Sequence, residues 1–270
     1  MDLAGARAIL TGASRGIGAR LAERLAVEGV DMVLAARSLE DIEQLSQRLT
    51  GYGVRTVPVQ ADVTKAEDLE SLVAAGEASL GGIDLLINNA GIEHYERYEL
   101  IDPEIIRAIV ETNLVAPQVL TRLVLPQMVK RRRGHILNIA SLAGRTVMPY
   151  NTVYSASKHG LVGFSWSLRA ELESYGIGVS VVCPGFVKEV GMHAVRGRTA
   201  PSLTGEVTPS QVVDEAVSAI VHNRPEVVVA PPLARVGDVV FAASPRFALW
   251  MTKRSGLVDF LREEAASPSH

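Results

Sequence analysis

The chain is predicted to fold as an α/β protein: a doubly wound parallel sheet of seven strands, helices on both faces, and a helical extension at the C-terminus. Two observations predict it. Short runs rich in Val, Ile and Leu alternate with helical patterns from the first residues to about 230. Strands apolar on both faces belong in a parallel sheet covered on both sides. Right-handed crossovers between such strands wind a sheet in both directions.

The elements follow in order. ARAIL (6–10) reads as a buried strand, followed by a glycine-rich turn and the helix IGARLAERLAVEG. DMVLAA (31–36) is the second strand, and SLEDIEQLSQRLTGYG the helix after it. VRTVPVQ (54–60) is the third strand. The next helix, TKAEDLESLVAAGEASLG, is predicted to start at Thr64, a favoured N-cap residue. IDLLIN (83–88) is the fourth strand. A long helical pattern follows, with Pro103 near its start, where a missing N–H costs nothing. HILNIAS (135–141), GVSVVCP (178–184) and EVVVAP (226–231) complete the seven. No linker divides residues 1–230, which read as one domain including a loop at 191–208. Residues 231–270 read as two or three short amphipathic helices packed on that domain.

Composition narrows the function classes. Of 270 residues, 47% are hydrophobic and 21% charged, enough to bury a full core. A net charge of −3 gives no reason to expect a nucleic-acid partner. The single cysteine, Cys183, excludes an intrachain disulfide and suits a reducing compartment. The start, MDLAGARAILTG, lacks the pattern of a signal peptide, and no segment approaches the ~20 apolar residues of a membrane span. A cytoplasmic protein is expected.

TGASRGIG (11–18) stands where the first strand meets the first helix. Glycines at 12, 16 and 18 permit a tight turn, and a helix N-terminus offers free N–H groups to a phosphate. The spacing, GxxxGxG, departs from the GxGxxG dinucleotide fingerprint. An NAD-selective site places an acidic residue at the end of the second strand to bind the ribose 2′-OH. Here that region reads LAARS. Arg37, helped by Arg15, suits a 2′-phosphate, so NADP(H) is the expected cofactor.

YSASK (154–158) puts Tyr154 and Lys158 one helical turn apart, on one face. An ammonium there is expected to lower the phenol pKa from its ordinary ~10. Alone, this spacing is more often a surface feature of an amphipathic helix.

Seven motifs in order change that balance: TGASRGIG, DV at 62–63, NNAG at 88–91, Asn113 in ETNLVAP, Ser141 in NIASLAG, YSASK, and PG at 184–185. Over about residues 5–230 the chain resembles the short-chain dehydrogenase/reductase family, whose fold is Rossmann-like. The resemblance implies a catalytic set of Asn113, Ser141, Tyr154 and Lys158. Tyr154 would exchange a proton with the substrate oxygen, Ser141 would orient that oxygen, and Lys158 would lower the tyrosine pKa and grip the nicotinamide ribose. Asn113 would interrupt its helix and hold a water on a proton path. Cofactor contacts would come from Gly12, Ser14, Arg15, Gly16, Ile17, Gly18 and Arg37. Asp62 would hold the adenine amino group, beside Val63. Asn88 starts the NNAG motif, and Asn89, Ala90 and Gly91 would let backbone pass close to the nucleotide. Pro184, Gly185 and Val187 join Tyr154 and Lys158 at the nicotinamide end. The family commonly carries Thr four residues after the PG glycine; Glu189 stands there instead.

The implied activity is NADPH-dependent reduction of a carbonyl to an alcohol, on a lipophilic ketone or 3-oxoacyl substrate. An alcohol or steroid dehydrogenase working oxidatively stays open, as does a non-catalytic NADP-binding sensor or scaffold. A homodimer or homotetramer is implied. No metal is expected, because the six histidines lack ligand spacing with carboxylates or Cys183. Cys183 reads as a core strand residue, and KRRR (130–133) as a basic helix end complementing the dipole. The stretch 191–205 resembles the family's substrate lid, with Met192 and His193 candidate substrate contacts. In the extension, Phe241, Phe247, Leu249, Trp250 and Met251 could line an entrance, rest on a membrane or cover the core. Core or dimer packing is the favoured reading, since Lys253 and Arg254 supply a basic face only weakly.

Overall fold

The computed structural model describes residues 1–190, 200 and 204–266. Seven strands form one sheet: β1 (Arg7–Thr11), β2 (Asp31–Ala36), β3 (Thr56–Gln60), β4 (Leu85–Asn88), β5 (Gly134–Ile139), β6 (Ile177–Pro184) and β7 (Glu226–Val229). Every neighbouring pair is parallel, and the order is β3-β2-β1-β4-β5-β6-β7. Each strand lies where the apolar runs place it, with ends moved by one or two residues. The chain leaves β1 toward β2 and β3, then returns to its other side at β4. Such a reversal opens a crevice at the carboxyl ends of β1 and β4, beyond Thr11 and Asn88.

The helices are α1 (Gly16–Val27), α2 (Leu39–Leu49), α3 (Ala66–Ala75), α4 (Pro103–Val110), α5 (Ala116–Arg131), α6 (Thr152–Leu172), α7 (Pro209–Val221), α8 (Pro232–Ala243), α9 (Pro245–Arg254) and α10 (Leu257–Ala266). Successive strand residues point to opposite faces. Leu10, Leu34 and Ile87 accordingly join Leu21, Leu25 and Val217 in one core. Ile9, Val33 and Leu86 join Leu120, Val124 and Leu168 in the other.

Helix starts are built from local chemistry. Ser38 caps α2 by accepting from Asp41 N, and Asp102 caps α4 by accepting from Glu104 N, with Pro103 in the first turn. Thr208 and Gln211 form a reciprocal capping box at α7. The expectation for Thr64 is corrected. The N-cap of α3 is Lys65, without a side-chain cap. Thr64 instead donates its N–H (3.0 Å) and hydroxyl (2.8 Å) to Asp62 Oδ1. An ionised carboxylate is the stronger acceptor and captures both donors.

The long helix after β4 runs as α4, one π-helical turn at Glu111–Val115, then α5. The helical stretch Pro103–Arg131 is long and apolar enough to cross a membrane by length and composition alone, which corrects the expectation that no segment comes near. Leu120, Val124 and Met128 are fully buried in a core cluster with strand residues, as in a core helix. At its end, Arg131 bonds Ile83 O and Arg132 bonds Ser174 O, so two of the KRRR cations serve the chain itself.

Among the described residues the extension forms three helices. Leu257 and Leu261 of α10 are buried against Tyr95, Phe260 meets Phe186 edge-on at 5.8 Å, and Arg262 Nε donates to the Tyr150 hydroxyl at 3.0 Å. Asp238 anchors α8 through Arg145 at 3.1 Å. The apolar residues of α9 depart from the core-covering reading: Phe247, Leu249 and Trp250 are exposed, and Ala248 alone of that helix is buried. Leu257 and Leu261 do the covering, because the chain turns at Gly256, in a left-handed conformation (φ +77°), before docking.

Candidate active site

The glycine turn is locked to the NNAG segment. Thr11 Oγ1 accepts from Asn89 N at 3.0 Å and Ala90 N at 3.1 Å. Asn89 Nδ2 donates to the Thr11 and Gly12 carbonyls at 3.0 and 3.1 Å. A Cβ on Gly12, already at φ +66°, would lie 2.9 Å from Ala90 Cα. One on Gly18 would drive into the Gly12 carbonyl and come within 2.6 Å of Asn89 Nδ2. Side chains are thus excluded where α1 meets the turn. Arg15 occupies the N-cap of α1 with no side-chain cap, and no acidic residue lies in its first turn. Free N–H groups and a positive dipole end, backed by a cradle that a Cβ would fill, fit a dinucleotide phosphate. Ser14 and Gly16 are partly exposed on this turn, whereas Ile17 packs against the core.

Arg37 is exposed just past β2, its carbonyl tied to Gln60 Nε2 at 2.9 Å. Asp62 follows β3. The Thr64 N–H, and with it the Thr64 hydroxyl and the charges of Arg37 and Lys65, overcome burial and hold its carboxyl below the usual range. Val63 beside it packs on the core. Asn88 lies beneath the crevice, buried, with Nδ2 donating to Asn138 Oδ1 at 2.8 Å. Its role here is to join β4 to β5.

Asn113 sits in the π-turn and is fully buried. Its Oδ1 accepts from Ile92 N at 2.9 Å, and Nδ2 donates to Ile92 O at 2.8 Å and Ser157 Oγ at 3.1 Å. The wider turn lets the amide leave the helix and clamp the backbone after NNAG. A Cβ on Gly91 would lie 3.3 Å from Asn113 Oδ1, a tight contact, and touch Lys158 Nζ at 3.5 Å.

Ser141 follows β5 and caps a short turn, accepting from Ala143 N at 3.1 Å. The turn rests directly on α6, since a Cβ on Gly144 would lie 2.7 Å from the Lys158 backbone. Tyr154 and Lys158 on α6 are 6% and 3% exposed. Lys158 Nζ lies 5.6 Å from the Tyr154 ring centre and donates to Ile139 O at 2.9 Å.

The charge pattern corrects one expectation. Lys158 does not pull the Tyr154 pKa down. Burial pushes the phenol well above its ordinary value, the Glu93 charge adds to that, and the Ser141 hydrogen bond opposes it. Burial also lowers Lys158, to about 8, against the opposing charge of Glu93. Desolvation outweighs a cation whose ammonium is turned to a carbonyl.

Three residues here carry no motif. Glu93 accepts from Asn151 Nδ2 at 3.4 Å and acts electrostatically on both Tyr154 and Lys158. Tyr95, buried beside them, is raised by burial and by Glu93. The only signal for Glu93 in the sequence is its place two residues after NNAG.

Beyond β6, which ends at Pro184, Gly185 N donates to Val229 O at 2.9 Å and Val187 bridges Val207. Glu189 is exposed with φ +61°, and a Cβ on Gly16 would lie 3.4 Å from Val190 O. The segment therefore passes over the glycine turn. Met192 and His193 lie outside the described residues. A cleft of about 280 Å³ adjoins the start of α6, lined by Met148, Pro149, Thr152, Ser155, His159 and Phe241.

Residues 6–201 match the family model described as short chain dehydrogenase. The chain belongs to that family. As a short-chain dehydrogenase/reductase it is an NAD(P)-dependent oxidoreductase. It is 38% identical over 275 residues to a ketoacyl reductase, HetN, of Nostoc sp., covering 97% of this chain and 93% of that one. Among solved structures it resembles a variant of actinorhodin polyketide ketoreductase with NADPH (TM-score 0.76, 32% identity, 85% of this chain and 97% of that one). A metagenomic short-chain oxidoreductase in complex with NADP is also similar (TM-score 0.72, 31% identity, 85% and 98%).

Proposed function

We propose that this enzyme reduces a carbonyl to an alcohol with NADPH, on a lipophilic ketone or a 3-oxoacyl substrate. The observation that carries the reading is the gathering of Ser141, Tyr154, Lys158 and Asn113 beside the glycine cradle, at the carboxyl edge of the sheet. Gly12, Gly16 and Gly18 would seat the pyrophosphate, Arg37 and Arg15 the 2′-phosphate, Asp62 the adenine, and Lys158 the nicotinamide ribose. When bound, the nicotinamide supplies the hydride.

Tyr154 keeps its proton at neutral pH, because burial and Glu93 hold its pKa up. A protonated phenol is the state that can donate to a carbonyl oxygen as that oxygen gains charge. Ser141 hydrogen-bonds the same oxygen and fixes its position. Lys158, its ammonium held on Ile139 O, would serve by gripping the nicotinamide ribose, while the Ser141 hydrogen bond is the contact that favours the phenolate left behind. Asn113 acts as a positioning residue: its amide engages Ile92 and Ser157, which supports a clamp more than the implied water path. The names of the similar proteins support the direction and the cofactor, one a ketoacyl reductase and two others solved with NADPH or NADP. Residues 1–230 would be the catalytic domain with 231–270 packed on it, working as a homodimer or homotetramer in the cytoplasm.

Purified protein, NADPH and a panel of ketones and 3-oxoacyl thioesters test this through loss of reduced-nicotinamide absorbance. Turnover with at least one carbonyl is expected. NADPH binding without turnover on any of them would favour a scaffold, and faster alcohol oxidation with NADP would reverse the direction. Arg37→Asp should weaken NADPH at least tenfold while changing NADH little; equal losses would refute the 2′-phosphate assignment.

A further inference from the structure

The α8–α9 hairpin presents a surface that the catalytic account does not use. Leu233, Val236 and Val239 on α8, and Phe247, Leu249 and Trp250 on α9, are each 43–66% exposed. Single exposed apolar residues are ordinary, but six large ones within residues 233–250 are not.

The charges on the same stretch have one sign. Arg235, Arg246, Lys253 and Arg254 are all exposed. The acidic residue between 231 and 258, Asp238, is buried and paired with Arg145. A cationic patch thus stands on a chain whose net charge is −3. Phe247 stacks on Trp250 at 5.5 Å, and the Arg254 guanidinium lies 4.4 Å over the Trp250 ring. Aromatic rings with a cation held over one face suit a boundary that is apolar beneath and anionic above.

A second copy of the chain is a poor match. A two-fold interface sets one patch against itself, and here that would press four cations onto four others. An anionic bilayer matches both features, since headgroups meet the cations and the acyl boundary takes the apolar side chains. We propose that this hairpin docks the enzyme on an anionic lipid bilayer, with Phe247, Leu249 and Trp250 entering the acyl boundary and Arg246, Lys253 and Arg254 at headgroup level.

Co-sedimentation of the full chain with vesicles tests it, comparing phosphatidylglycerol–phosphatidylcholine mixtures with phosphatidylcholine alone. The wild type should bind the anionic vesicles at least tenfold more tightly, less so in high salt, with a blue shift of tryptophan emission. The pair Phe247→Ser and Trp250→Ser should lose most of that binding with an unchanged thermal midpoint. The pair Arg246→Glu and Lys253→Glu should lose it as well, which separates the charge contribution from any packing fault. A wild type left in the supernatant with anionic vesicles would overturn the proposal. So would serine variants that bind normally, or a change in their mass by light scattering without vesicle binding, the mark of an interface between copies.

Discussion

At the scale of single residues the site is governed by desolvation. Tyr154 and Lys158 are both buried, and each is driven toward its neutral form: the phenol upward, the ammonium down to about 8. Glu93 raises both. The signs give a prediction. The Lys158 cation is present below about pH 8 and lost above it, so kcat/KM for ketone reduction should fall as pH rises through that value. Glu93→Gln removes a charge that holds both groups protonated, so the falling limb should move to lower pH. A limb that stays in place in the glutamine variant would remove Glu93 from the electrostatics of the site. Apart from Glu93 standing two residues after NNAG, nothing in the sequence flags Glu93 or Asn151, because they belong to no motif and meet only when the loop before α4 folds over the start of α6.

At the scale of elements, strands and motifs were legible and their couplings were not. The seven strands could be read because both of their faces are apolar, a pattern that needs no tertiary knowledge. The π-turn is the physical form of the expected break at Asn113: an amide that must reach the Ile92 backbone is served by a wider turn. Thr11 escaped notice, yet its hydroxyl ties the NNAG backbone to the turn. Two buried groups at strand starts make stability sensitive to acid. Asp84, at the mouth of β4, is pushed up by burial but pulled further down by its hydrogen bonds with Arg7 at 2.7 and 2.8 Å and by Arg131 and Arg133. Its contribution is present above the unfolded carboxylate value of ~3.9 and lost as pH falls through its depressed one. Burial, helped by the charges of the N-terminus and Arg169, lowers His135 in β5 to about 3, and its Nε2 lies 3.0 Å from Ser180 Oγ. Because the unfolded imidazole takes its proton near 6.5, His135 should erode stability from about pH 6.5 down to about 3, by roughly 3–5 kcal/mol in all. The urea midpoint should therefore decline over that window, and His135→Gln should flatten its upper part. A flat profile above pH 4 in the wild type would contradict this.

For the molecule as a whole, the return of the chain from β3 to β4 beside β1 is what assembles the site. It sets the glycine turn against NNAG, and β5 then brings Ser141 and α6 to the same edge. The candidate site residues could be read from motifs, of which the glycine turn, NNAG and Ser141 follow strand ends, where a doubly wound sheet places ligands. The outward face of α8 and α9 was not, since amphipathic periodicity alone does not say which side meets the core. The central claim is that the Tyr154 hydroxyl gives the proton beside a bound nicotinamide. Its most direct test is Tyr154→Phe, assayed for ketone reduction and, separately, for NADPH binding by nucleotide fluorescence. The account predicts turnover at least a thousandfold lower with NADPH affinity within a few-fold of wild type. Turnover near the wild-type rate in that variant would contradict it.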